Sequence, residues 1–301
     1  MSNRQFLRDT HSMLGLFKSN ALPDHETIEW LFAVYRWLFE NTFAAEAEPN
    51  STPSDSDPDA SKSALETGFE QFIRTPIILP TAEHFPNAPD DADEPTLAEH
   101  LFACTKLHAG LEDWPCELEH HTNAPRMRDL VGLLPSLESS SMNAAGTFRI
   151  DRSRRVVITY AEGSTSDPVA FIATMAHELA HYLMMTIPTP PPGGEDAEEP
   201  ATDLTAVFMG FGVFTANAAV RFNQFSDGTM IGWSMSRTGY LTEQSIAYAL
   251  AIFLTLTGTP FSVARSHLDP NPRSYTKAAL KDLRKRRQAE LDRLREFSPR
   301  T

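Results

Sequence analysis

The chain has 301 residues, enough for one large domain or two modest ones, each able to bury a core. Its hydrophobic fraction of 41% and charged fraction of 22% are those of an ordinary water-soluble globular protein. A net charge of −14, from 26 basic and 40 acidic residues, argues against general binding to nucleic acid or anionic membranes, because phosphate neutralisation needs surplus Lys and Arg. Apolar residues Ile28, Leu31, Val34, Tyr35 and Leu38 recur at helical spacing between Asp24 and Phe43. The next stretch, Ala44–Ala64, is rich in Ser, Pro and Asp and reads as a disordered linker. A helix at Leu65–Ile73, a short strand at Pro76–Leu79 and an acidic loop at Asn87–Pro95 follow. Helices are expected at Thr96–Leu111 and Arg126–Leu137.

Thr147–Tyr160 carries two runs of β-formers around a polar Asp151–Arg154 turn, the pattern of a hairpin. Asp167-Pro168 is a helix start, an N-cap residue before a proline at the first helical position. That helix is expected to reach Thr186, with Pro188 as its stop. Pro188–Pro200 is Pro/Gly-rich and acidic, so it reads as an irregular, mobile loop able to serve as a lid. Ala201–Phe222 and Thr242–Thr257 look like two buried helices, and Tyr275–Phe297 like one charged amphipathic helix. On that helix the basic run Lys281–Arg287 reads as a solvated face.

The cysteines, Cys104 and Cys116, form neither a disulfide framework nor a CxxC pair, which suggests reduced thiols. The N-terminal residues make a poor signal peptide, and the longest apolar run, Ile246–Leu256, is too short to cross a bilayer. The expected location is cytoplasmic.

The chemistry sits in His177-Glu178-Leu179-Ala180-His181, an HExxH motif in the middle of an otherwise apolar helix. Helical residues four apart point the same way, so both imidazoles can reach one zinc ion. Glu178 lies about 100° around the helix, beside a bound water rather than on the metal, where it can act as general base. Buried histidines and a glutamate need polar partners, and a metal supplies them.

A third ligand has to come from elsewhere. Downstream, Glu199 and Asp203 stand in an ExxxD spacing that opens the next helix. With these residues the chain resembles the gluzincins, the thermolysin-like superfamily of zinc peptidases. There a glutamate downstream of HExxH ligates zinc, and an aspartate one turn later orients the first histidine. The resemblance therefore implies Glu199 as ligand and Asp203 as the partner of His177, with Pro200 leaving Glu198 as a competitor. It covers about Thr147–Asp203. It further implies that an extended peptide docks on the edge strand preceding the zinc helix, here Arg155–Tyr160. The layout HELAHYL, TDLTAVF and RTGYL is also similar to uncharacterised bacterial proteins with HELAH, TDL and GYL blocks. Gly210 and Gly212, inside that layout, read as sites of close helix packing. Gluzincins supply a Tyr or His from a later helix to the developing oxyanion, which makes Tyr240, with Arg237, a catalytic candidate beside the alternative of a core tyrosine. The remaining histidines, His108, His120 and His121, lack metal-ligand spacing.

The resulting expectation is a predominantly helical α+β protein, zincin-like, with a small sheet beside the HExxH helix. Residues 1–146 would form a mostly helical N-terminal region and 147–301 a metallopeptidase-like region. The expected activity is zinc-dependent hydrolysis of a peptide or protein substrate, with no nucleic-acid or membrane partner. The alternative is a regulatory or sensing protein with a latent zinc site, for which a base such as Glu178 would be superfluous.

Overall fold

A computed structural model describes residues 21–42, 72–89, 91–121, 146–150, 155–225 and 241–295. Outside these residues lie the 44–64 linker, nearly all of the 65–73 helix, the 126–137 helix, the 151–154 turn, Arg237 and Tyr240. The described chain is mostly helical with one three-stranded sheet, an α+β arrangement. None of its helices is long and apolar enough to cross a membrane.

Helix α1 (His25–Thr42) buries the face that its periodicity marks, including Leu31, Val34, Tyr35 and Leu38. Helix α2 (Glu94–His108) begins under an Asp93 cap whose carboxylate accepts from Thr96 N. The sheet holds β1 (Cys116–His121), β2 (Gly146–Ile150) and β3 (Val156–Ala161) in the order β1-β3-β2. β2 and β3 are the expected antiparallel arms, with Phe148 opposite Ile158, and β1 adds in parallel on the other side of β3. This corrects one expectation. The strand preceding the HExxH helix is central and paired on both sides, so it has no edge to offer a peptide. The strand that lies along that helix is β2.

Helix α3 (Pro168–Met184) carries the motif. Its first turn is capped by Asp167, whose Oδ1 accepts from Ala170 N at 3.2 Å. Helix α4 (Glu198–Ala206) starts one turn earlier than the sequence suggests. Pro200 falls within its first turn, where backbone N–H groups have no intrahelical acceptor and a proline therefore costs no bond. A π-helical turn, Val207–Phe211, separates α4 from α5 (Gly212–Phe225), so the expected single helix is broken. The break is at Gly210, whose φ of 99° suits only glycine, and a Cβ there would stand 2.5 Å from Pro76 O. Gly212 has the close packing expected of it, against Leu250 of α6 (Glu243–Leu256). Residues 76–79 form no strand; Ile77 and Ile78 are buried, and Ile78 N donates to Gly210 O at 3.0 Å.

Helices α7 (Phe261–Arg265), α8 (Pro270–Arg286) and α9 (Gln288–Arg295) complete the described chain. The expected C-terminal helix is thus two helices, interrupted at Arg287. Arg287 departs from the solvated face assigned to its run: it is 11% exposed and paired with Glu29 and Glu290. Both hydrophobic cores draw side chains from before and after residue 146. One packs α1, Phe72, α4, α6, α8 and α9; the other packs α2, the sheet and α3; α5 contributes to both.

The Pro188–Pro200 segment is not the free lid that its composition suggests. It is tied to α1 by two indoles: Trp30 Nε1 donates to Pro192 O at 2.7 Å and Trp37 Nε1 to Thr189 Oγ1 at 3.1 Å.

Candidate metal centre

α3 and α4 lie against each other so that His177, His181 and Glu199 converge. One ligand-capable atom from each lies within 4.8 Å of the others, a group that could hold a metal ion. The Glu199 carboxylate faces both rings, Oε2 at 3.3 Å from His177 Nε2 and Oε1 at 3.6 Å from His181 Nε2. Glu198, the competing acid, contributes its backbone instead: its carbonyl accepts from the Thr202 hydroxyl at 2.9 Å.

The far side of each imidazole is held by α4. Asp203 Oδ1 lies 3.0 Å from His177 Nδ1, and its Oδ2 accepts from Leu241 N at 2.9 Å. Thr202 Oγ1 lies 3.3 Å from His181 Nδ1. That hydroxyl's shorter bond is to Glu198 O, which favours its accepting from the ring N–H and leaves His181 Nε2 free to face Glu199. Asp203 stands beside His177, the neighbour that the resemblance implied for it. Thr202 was not singled out from the sequence, although its place one turn after Glu199 and beside Asp203 puts it on the same face.

Glu178 is 1% exposed, and its Oε1 has no hydrogen-bond partner among the described residues. β2 passes close over it. A Cβ on Gly146 would stand 2.6 Å from Thr174 Cγ2 and 3.5 Å from Glu178 Oε1, so glycine is what allows the strand this near α3. Gly146 is a second residue that sequence reasoning passed over. Phe148, two residues along β2, lies nearly parallel to His181, with centroids 6.1 Å apart and planes at 25°.

The electrostatics follow from this crowding. Burial resists a charge on His177, but the Asp203 and Glu199 carboxylates outweigh it and push its pKa up to about 10. Burial likewise raises Glu199, yet contacts with His177 and His181 prevail and bring it down to about 2. Glu178, with burial dominant, is raised.

The donor set would suit zinc. Two imidazoles and a carboxylate could supply three ligands and leave a position for water, and each imidazole has a hydrogen-bond partner behind it. Such a set could also hold other divalent metals, and neutral imidazole with carboxylate suits zinc well. No protein family matches this chain, and no curated protein or solved structure matches it significantly. Tyr240 and Arg237 lie outside the described residues.

Proposed function

We propose that the chain is a zinc-dependent hydrolase of the thermolysin-like type, a peptidase with a zincin-like arrangement of sheet, HExxH helix and glutamate helix. One observation carries the reading. An unpartnered, buried carboxylate, Glu178, sits on the same helix turn as two histidines that converge with Glu199. A purely structural metal site has no use for such a base.

His177, His181 and Glu199 would hold the zinc, which when bound acts as a Lewis acid and lowers the pKa of a water to about 7. Glu178 would serve as the proton carrier of the hydrolysis, its carboxylate placed to accept a proton from the attacking water and to pass it to the leaving amine. A raised carboxyl pKa suits this role, because the acid must both accept and release a proton near neutrality. Asp203 and Thr202 keep the imidazoles in one tautomer through the cycle. Tyr240, which immediately precedes Leu241 in the chain, is the proposed oxyanion donor, so Tyr240→Phe should lower kcat without altering zinc content. The substrate's extended backbone would pair with the outer edge of β2, the strand along α3.

The deciding experiment measures zinc content and then profiles proteome-wide cleavage by wild type against Glu178→Gln. Stoichiometric zinc with cleavages present only in wild type supports the peptidase. Stoichiometric zinc with no cleavage by either protein favours the sensing alternative. No zinc in wild type removes both readings.

A further inference from the structure

We infer that Trp30, on α1, is a positioning residue for Glu199: its indole N–H fixes the turn from which the third ligand's helix starts. The inference rests on the metal reading above and adds to it a part of the chain far from HExxH in sequence.

A continuous set of bonds links the two residues. Trp30 Nε1 donates to Pro192 O at 2.7 Å. Gly194 N donates to Pro191 O at 2.9 Å, and Ala197 N to Gly194 O at 3.0 Å. Ala197 is the N-cap of α4, and Glu199 is the second residue of that helix. Pro191, Ala197 and Pro200 are buried, so the turn is packed as well as bonded. Ala201 and Leu204, on the same helix, join the core that α1 builds with Leu31, Val34 and Leu38.

Trp30 adds what the turn's own backbone bonds leave open. α4 has no side-chain cap, so its first residues rely on those bonds and on anchorage of the turn from outside. Gly193 has a φ of 99°, and a Cβ on it would stand 2.8 Å from Ala197 Cβ and 3.6 Å from Trp30 Nε1. A glycine turn has wide conformational freedom unless something outside it chooses one state. The indole makes that choice, and the carboxylate of Glu199 is thereby presented to both histidines before any metal arrives.

Trp30→Phe keeps an aromatic ring and removes the donor. Zinc affinity, measured by competition with a chromophoric chelator, should fall about tenfold or more, as when a partner behind a ligand is lost. The visible spectrum of the cobalt-substituted protein should change as the carboxylate loosens. A merely structural tryptophan would lower the melting temperature in chelator and leave both metal readouts unmoved. Gly193→Ala strains the same turn while the Trp30 indole donor is kept, and it decides the matter if Trp30→Phe does not fold. Wild-type zinc affinity and cobalt spectrum in the folded variants overturn the inference alone, provided Glu199→Gln loses the metal. A wild-type chain that binds neither metal overturns the metal reading and this inference together.

Discussion

Asp203 reaches His177 Nδ1 at 3.0 Å with one carboxylate oxygen, and with the other it holds the backbone N–H of Leu241 at 2.9 Å. One buried side chain therefore joins the HExxH helix to the segment that opens α6. Asp203→Ala removes both bonds. Zinc affinity should drop roughly 10–100-fold. Leaving the Leu241 N–H buried and unpaired should cost about 1–3 kcal/mol of stability. Chelator competition and denaturant unfolding measure the two effects separately, and loss of neither would strip Asp203 of its assigned role.

Glu178 is expected to behave differently from the ligands beside it. Its carboxyl is buried with Oε1 unpartnered, so ionising it opposes folding. Glu178→Gln should retain zinc, melt no lower than wild type in chelator, and abolish hydrolysis. His177→Ala and His181→Ala should instead lose the metal. A Glu178→Gln protein that cleaves at the wild-type rate would remove Glu178 as the base.

The pH dependence of the site has a definite sign. His177 has a folded pKa of about 10 against an ordinary 6.5. Its contribution to stability is complete below about pH 6.5 and is lost as pH rises through about 10. Glu199, held at about 2 against an ordinary 4.5, stabilises fully above about pH 4.5 and stops doing so as pH falls through about 2. In chelator, this pair therefore stabilises most between about pH 4.5 and 6.5. Zinc requires His177 neutral, so binding must expel its proton. The rise in melting temperature on adding zinc should grow steadily from pH 6.5 to pH 9, and calorimetry in buffers of different ionisation enthalpy should detect about one released proton. A zinc increment that shrinks over this range contradicts the arrangement.

The parts of this molecule that were legible in the sequence are those governed by local repeat. His177, Glu178 and His181 declare themselves by helical spacing and Asp167-Pro168 by capping, whereas Glu199 and Asp203 come only from the resemblance that the ExxxD spacing carries. The hairpin showed as two runs of β-formers. What stayed hidden depends on distant partners. β1, CELEHH, has a single aliphatic residue, Leu118, and becomes a strand because β3 pairs with it. The stretch TDLTAVFMGFGVF reads as one helix from its apolar pattern, while in the fold Gly210 takes a positive φ and leaves no room for a Cβ beside Pro76 O. Pro/Gly composition suggested a free loop at 188–200, whereas Trp30 and Trp37 arrive from α1 to bind it. Thr202 and Gly146 escaped notice for a related reason: a hydroxyl and a missing side chain matter only once their neighbours are placed.

The position of β2 leads to the last prediction. It pairs with β3 on one side, and it lies along α3 with Gly146 near Glu178 and Phe148 over His181. Successive N–H groups of an antiparallel strand point to opposite edges, so of the neighbours Phe148 and Arg149 one points outward. Proline at the outward position removes a donor that a docked peptide would use, and leaves the β2–β3 ladder whole. Proline at the inward position instead breaks a ladder bond and should lower stability. We therefore expect one of Phe148→Pro and Arg149→Pro to fold normally by circular dichroism and to keep its zinc. The same variant should show a raised KM or no cleavage at the sites found for wild type. The other should show its main loss in melting temperature. Wild-type cleavage by a folded, zinc-loaded outward-proline variant would mean that the peptide backbone does not pair with β2. Substrate would then have to be held by side-chain contacts around the metal alone.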